Sequence, residues 1–319
     1  MSETALIGID LGGTNCRAAL LAESGEILRS NRIPTRVAEG REQFLSRLFE
    51  LCDDLLSFAE NEKRRVLAVG MGAAGVIAEG GVVTVSPNVA WLDGFPLAET
   101  MAKGLRLPVT VVNDANAVAW GEAKFGAGRD FASFLTITLG TGVGGGLVLE
   151  RRLWKGSDGA AGEIGHFVVD PGGRPCKCGS RGCLERYASA TGMVCSVIEL
   201  LEQGKASVLK MLPPAELTAF EISRAARSGD AVALQALQEA GERLGQVLAS
   251  VANLLNLDGV VICGGPSASL DLLRPWLEAE MRFRTFAIPF KRMQIVRGEL
   301  GDEAGIVGAA TLAYEAVMG

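Results

Sequence analysis

Apolar positions along this chain recur with two periods, close to two in short runs and close to three and a half in longer ones, so strands and helices can be marked before any chemistry is considered. Ala5 to Asp10, Arg17 to Ala22 and Glu26 to Ile33 read as three short strands joined by turns. Arg41 to Glu60 carries apolar residues at Phe44, Leu45, Leu48, Leu51, Leu55 and Leu56, the spacing of one helical face. Val66 to Met71 is a further strand that runs into the small-residue loop Gly72 to Gly75. A long loop follows, marked by Pro87-Asn88 and Trp91 to Gly94, and it reads either as one wall of a pocket or as a solvated loop anchored by a buried Trp91. Pro108 to Asn113 is a buried strand ending beside Asp114, and a helix begins at Ala115-Asn116. Phe134 to Leu139 reads as a strand, Gly140 to Gly146 as a glycine-rich turn and Leu147 to Glu150 as a returning strand. Further on the chain turns helical. Ala231 to Leu255, with apolar residues at Leu237, Leu244, Val247, Leu248, Val251 and Leu254, predicts a long buried helix; Gly259 to Cys263 is a strand opening into Gly264-Gly265, and Glu303 to Val317 is the last helix.

An internal repeat lies within this order. Leu-Gly-Gly-Thr at 11–14 and Leu-Gly-Thr-Gly at 139–142 occupy equivalent places in two strand-turn-strand units, one early in each half. The pattern is therefore an α/β architecture made of two duplicated units, not one doubly wound sheet. A Gly-Gly between strands is either a plain hairpin or a turn whose main-chain N–H groups approach an anion, with Thr14 adding a hydroxyl. Its recurrence favours the second reading, two turns that grip a polyphosphate. Asp10, at a strand end, is placed to hold a hydrated Mg²⁺. The Gly264-Gly265 pair leaves room for a flat group such as adenine, or simply makes a tight turn.

Composition narrows the function classes. The 319 residues are enough for two cores, and 48% are hydrophobic. A formal charge of -6 argues against a nucleic-acid or anionic-membrane binder, which would present a basic face. No basic-then-apolar leader precedes the first strand, and no run of about 18 apolar residues occurs, so a cytoplasmic protein is expected. In that compartment clustered thiols are more often metal ligands than disulfides.

Such a cluster is present. The only histidine, His166, is followed by Cys176, Cys178 and Cys183, a complete ligand set for one closed, structural tetrahedral Zn²⁺. Two carboxylates, Glu163 and Glu185, bracket it. If the metal takes one ring nitrogen of His166, the other points at whatever lies between the glutamates, and carboxylates with an imidazole suit a polyol or sugar better than an apolar ligand. Asp114, at the strand-to-helix turn beside Asn113, would either cap the helix or act as a general base. A dehydrogenase reading of the glycine turns fails on context, because they sit between paired strands and not before a helix.

Taken together, Asp10-Leu-Gly-Gly-Thr14, Asn113-Asp114-Ala-Asn116, Leu139-Gly-Thr-Gly142, Glu163-Ile-Gly-His166, Cys176-Lys-Cys178 with Cys183, and Gly264-Gly265 resemble the ROK family of sugar kinases and sugar-responsive repressors. The resemblance implies the actin-like ATPase (ribonuclease H-like) fold, with ATP and sugar in a cleft between two domains: 1–114 plus about 303–319, and 115–302 carrying the cysteine loop. It implies Asp114 as catalytic base, and Gly75, Asn88, Asn113, Asp114, Glu163, His166 and Glu185 as substrate contacts. The ATP contacts it implies are Asp10, Gly12, Gly13, Thr14, Asn15, Thr138, Gly140, Thr141, Gly142, Gly264 and Gly265. ATP, Mg²⁺ and one Zn²⁺ per chain are the expected cofactors, and a homodimer the expected assembly. The expected reaction is phosphorylation of a hexose at its 6-hydroxyl, with glucose first, as in glucokinases of the family, ahead of fructose, mannose, allose and N-acetylmannosamine. Repressors of the family carry a helix-turn-helix ahead of the first glycine turn; with nine residues before Asp10, the kinase role is expected. Pro266 departs from the family's usual residue and bears on adenine contact.

Overall fold

The computed structural model describes residues 3–319. In chain order the elements are β1 (Glu3–Leu11), β2 (Asn15–Ala22), β3 (Ile27–Pro34), α1 (Arg41–Asn61), β4 (Arg64–Ala73), β5 (Val76–Ile77), β6 (Val83–Val85), α2 (Leu97–Leu105), β7 (Val109–Asn113), α3 (Asp114–Phe125), β8 (Phe134–Leu139), β9 (Val143–Leu149), β10 (Arg152–Trp154), α4 (Glu185–Ala188), α5 (Ala190–Glu202), α6 (Ala219–Arg227), α7 (Ala231–Leu255), β11 (Gly259–Cys263), α8 (Leu270–Arg284), α9 (Ala287–Arg292), β12 (Gln294–Arg297) and α10 (Ala304–Met318). Two five-stranded sheets run β3-β2-β1-β4-β7 and β10-β9-β8-β11-β12. The third-second-first-fourth-fifth order is the same in both, so the duplication read from the two glycine turns extends through each sheet. In each, an antiparallel pair lies at one side and parallel pairing at the other.

The chain folds as two compact units: 1–132 with 146–161 and 299–319, and 133–145 with 162–298. In the first unit the strand alternation sorts side chains onto two faces. Ile7, Ile9, Val69 and Met71 face α1 and α2, where Phe44, Leu48, Leu55, Leu97 and Met101 cover them. Leu6 and Ala68 turn the other way, onto Ile306, Val307 and Ala310 of α10. On that face the helix comes close because Gly70 stands where a Cβ would lie 1.8 Å from the Ala309 carbonyl oxygen. Helix α10 also packs along α3.

The second unit is built on the uninterrupted apolar run of β11, buried at every position as befits a strand with parallel neighbours on both sides. Helix α7 packs against α5, α6 and α8. Its C-terminal turn departs from the expected buried helix: Leu254 is 79% exposed. The glycine-rich turn is also shorter than expected, since β9 starts at Val143 and takes Gly144 to Gly146 into the strand. Close approach explains this: a Cβ at Gly145 would meet the Gly162 carbonyl oxygen at 2.3 Å. Among the described residues no helix is long and apolar enough to cross a membrane.

Candidate active site and metal centre

In the second unit the loop between β10 and α4 brings His166, Cys176, Cys178 and Cys183 together, with their ligand atoms all within 4.8 Å of one another. Cys176 Sγ lies 3.7 Å from His166 Nδ1, and Cys178 Sγ lies 3.6 Å from Cys183 Sγ. Tetrahedral bonds of about 2.3 Å to sulfur and about 2.0–2.1 Å to nitrogen place neighbouring ligand atoms roughly 3.6–3.8 Å apart, so the four groups fit a zinc ion. All three cysteines are free thiols, and 3.6 Å is far beyond a sulfur–sulfur bond. The knuckle is tied by main-chain bonds from Cys176 N–H to the Ser180 carbonyl, 2.9 Å, and from Gly179 N–H to the Cys176 carbonyl, 3.1 Å. Burial, reinforced by the neighbouring thiols, pushes the Cys183 thiol up to about 12. The Ser180 main-chain N–H instead draws Cys178 below its ordinary value.

His166 ends a single 3₁₀ turn, Ile164–His166, which sets its ring between two kinds of partner. Nδ1 faces the thiols, while Nε2 lies 3.8 Å from Oε2 of Glu163. That separation is too long for a direct hydrogen bond. One hydroxyl oxygen about 2.8 Å from each would bridge the two, donating to the carboxylate and accepting from the ring. Glu185, at the start of α4, is differently engaged: its Oε2 accepts from Val143 N–H at 3.2 Å and its Oε1 lies 4.0 Å from Cys176 Sγ. It therefore links the metal loop to the start of β9.

The glycine turn of this unit is held from the same side. Ala190 N–H donates to the Gly140 carbonyl at 2.8 Å, and Thr191 Oγ1 donates to the Thr141 carbonyl at 2.7 Å. A Cβ at Gly142 would sit 2.3 Å from Glu185 Oε2, so only glycine admits the carboxylate there. Cys263 pairs with Thr138, which places Gly264 and Gly265 at the same strand ends as Gly140 to Gly142. The positions expected to hold nucleotide in this unit thus converge. Ser189, Thr191 and Arg174, which brace this arrangement, were not singled out in the sequence, where isolated hydroxyl and basic residues give no spacing signal.

In the first unit Asp10 and Asp114 stand at the ends of β1 and β7, the two strands that flank β4, for Asp10 pairs with Gly72 and Ala73 with Asn113. Burial, with the Asp114 carboxylate adding to it and Arg17 opposing it, pushes Asp10 up to about 6. Burial likewise raises Asp114, partly offset by the Ala115 N–H that donates to its Oδ1 at 2.9 Å. The capping role left open for Asp114 belongs to Asn113, whose Oδ1 accepts from Asn116 N–H at 3.0 Å while its Nδ2 donates to the Gly75 carbonyl at 2.9 Å. Asp114 is thereby left with an oxygen not used in capping. The turn Gly12 to Thr14 closes through Gly12 N–H to the Asn15 carbonyl, 3.0 Å; Thr14 and Asn15 are exposed, and Asn88 packs on Gly13. Trp91 is half-buried and anchored, its Nε1 donating to the Val37 carbonyl at 3.0 Å.

Comparison with known proteins agrees with this arrangement. The chain is 38% identical to a glucokinase of Halalkalibacterium halodurans, over 98% of this chain and 96% of that one. It is 30% identical to a xylose repressor of Caldicellulosiruptor bescii, over 96% of this chain and 77% of that one. A ROK family glucokinase from Streptomyces griseus, solved in complex with glucose and AMPPNP, superposes with a TM-score of 0.82 at 34% identity, covering 98% and 99% of the two chains. That likeness gives both sheets their place in the actin-like ATPase fold. The ROK family pattern matches residues 6–316, and the chain belongs to the ROK family.

Proposed function

We propose that this protein is an ATP-dependent sugar kinase that transfers the γ-phosphoryl group of ATP to the 6-hydroxyl of a hexose, with glucose its substrate. The observation that carries this reading is the pair formed by His166 Nε2 and Glu163 Oε2, 3.8 Å apart and each partly exposed, a spacing suited to one sugar hydroxyl. Glu185 and Asn113 are assigned to further hydroxyls, with Gly75 and Asn88 lining the sugar. The choice of glucose is supported by the 38% identical glucokinase and by the related structure that holds glucose.

Phosphoryl transfer asks for an acceptor held in line, donors that spread charge, and a group to take the hydroxyl proton. Asp114 takes that proton: its raised affinity for protons, caused by burial, suits a base better than an ordinary carboxylate would. Main-chain N–H groups of Gly12, Gly13, Gly140 and Gly142, with the hydroxyls of Thr14, Thr138 and Thr141 and the amide of Asn15, receive the phosphates. Gly264 and Gly265 receive the adenine. Asp10 would orient the water shell of a nucleotide-borne Mg²⁺, which would supply positive charge to the phosphates. His166, Cys176, Cys178 and Cys183 would hold Zn²⁺ in a structural role, and the metal would fix the imidazole.

A homodimer is part of this reading. Phe167, Val168, Phe283, Phe286 and Ile288 of the second unit are exposed apolar residues, which a second copy would cover. Light scattering on the purified chain tests it, and a monomer at working concentration removes it. The second reading is a sugar-responsive repressor, favoured by the 30% identity to a xylose repressor. A coupled ADP-release assay over glucose, fructose, mannose, allose and N-acetylmannosamine separates the two. Turnover with glucose above the other sugars is expected; binding of sugar with no ADP release from any of them would support the repressor.

A further inference from the structure

Between His166 and Cys176 stands a cation that the proposed reaction does not use. Arg174 has a side chain only 11% exposed, and its guanidinium forks onto Glu199 of α5, Nε to Oε1 at 2.8 Å and Nη2 to Oε2 at 2.7 Å. Nη1 donates to the Arg186 carbonyl at 2.7 Å; Nη2 reaches Ser196 Oγ at 3.1 Å and Glu239 of α7 at 3.4 Å. The main chain of the same residue is committed as well. Its N–H donates to Tyr187 Oη at 3.0 Å, and its carbonyl accepts from Gly182 N–H at 2.8 Å. Tyr187 in turn donates to Asp170 at 2.9 Å, and both Arg174 and Arg243 lie over its ring, at 4.5 Å and 5.3 Å.

These bonds meet three pieces of structure that have to keep a common register. Gly182 precedes Cys183 in the knuckle, Arg186 and Tyr187 follow Glu185 in α4, and Glu199 and Glu239 belong to the helices beneath. A planar guanidinium paired in a fork fixes direction as well as distance, which an ammonium cannot do. Its loss would also leave the Arg186 carbonyl without its guanidinium donor and remove the cation shared by Glu199 and Glu239.

We infer that Arg174 is a positioning residue that holds the zinc-ligand loop and Glu185 in one register, so that the thiol cluster is preformed and retains its metal. The inference rests on the zinc reading of His166, Cys176, Cys178 and Cys183, and the test keeps the two apart. Holoenzyme is purified, its zinc content per chain is measured, and zinc loss to a chromogenic chelator is timed for wild type, Arg174→Ala, Arg174→Lys and a control, Arg274→Ala. Arg274 is also in the second unit, where it donates to the Ile295 carbonyl at 2.9 Å and to Glu278 at 3.0 Å, with no bond to the metal loop. Replacing a partner outside the ligand shell weakens metal binding by about 10- to 100-fold, so Arg174→Ala should lose zinc faster by about that factor. Arg174→Lys, which keeps charge but not the fork, should fall between it and wild type, and Arg274→Ala should stay within about twofold of wild type. Should Arg174→Ala fail to fold, the lysine variant decides. Release from Arg174→Lys at the wild-type rate, or equal acceleration by Arg274→Ala, would overturn the role of Arg174. A wild-type chain that carries no zinc would overturn the metal centre itself.

Discussion

His166 presents its Nε2 to Oε2 of Glu163 at 3.8 Å, while the opposite ring nitrogen, Nδ1, stands 3.7 Å from Cys176 Sγ. A metal on Nδ1 would orient the ring and fix the tautomer that Glu163 meets. Stripping the zinc should free the ring and raise the hexose KM by about tenfold or more, with a smaller effect on the KM for ATP. Cys183→Ser, which removes a fully buried ligand, should behave alike. Steady-state kinetics alongside metal analysis checks this, and a metal-free enzyme with unchanged hexose KM would break the link between the cluster and the sugar.

Asp114 does not take the cap of α3. Because Asn113 caps α3, replacing Asp114 removes no cap. Asp114→Asn should therefore leave the melting temperature and hexose binding close to wild type, and lower kcat by about 10²- to 10⁴-fold, the span of a general-base contribution. Calorimetric titration with glucose and a turnover assay read the two effects separately. Near-normal turnover would remove Asp114 from the base role.

Asp10 supplies a pH dependence. Its carboxyl protonates at about 6 in the folded chain against an ordinary 3.8. The folded state thus binds the proton more tightly than the unfolded one, so the stability this group contributes is present below about 3.8 and lost as pH rises through about 6. Metal binding runs the other way, since a cation needs the ionised group. With protonation at about 6, the apparent Mg²⁺ affinity should fall about tenfold from pH 7 to pH 5. Asp10→Asn should flatten that dependence and weaken Mg²⁺ at all pH values. A titration of Mg²⁺-dependent activity across this range would show it, and an unchanged slope in the variant would place the proton elsewhere.

The parts of the molecule that were legible in the sequence are those whose cause is local. Phe44 to Leu56 announces α1 because a helix that buries one face has no other way to write its pattern. The repeated glycine turns pointed to the duplicated sheets, and three cysteines near one histidine pointed to the four-ligand cluster. What escaped depends on distant partners. Gly144 to Gly146 look like turn residues until Gly162 is seen pressing on Gly145. Asn113 and Asp114 compete for one cap on equal chemical terms, and only the hold of Asn113 on Gly75 settles which takes it. The short strand β12 has too few residues for a period to show, and Arg174 is one arginine among many until Glu199 and Tyr187 surround it.

Gly70 offers the last test, in the packing of the first unit. It lies in β4 on the face toward α10, and a Cβ there would fall 1.8 Å from the Ala309 carbonyl oxygen and 2.2 Å from the carbonyl carbon. Both are backbone atoms of a helix that also packs on α3, so no side chain can rotate away and the helix itself would have to move. Overpacking of a tight core costs about 1–3 kcal/mol, and with backbone as the obstacle Gly70→Ala should reach at least the top of that range. Gly265 is a fitting control, since a Cβ there meets nothing within 4 Å and the residue needs no left-handed backbone. Its change to alanine should leave stability within about 0.5 kcal/mol of wild type. Urea unfolding of the two variants compares them directly. A Gly70→Ala protein as stable as wild type would mean that α10 rests on the sheet more loosely than the glycine face requires.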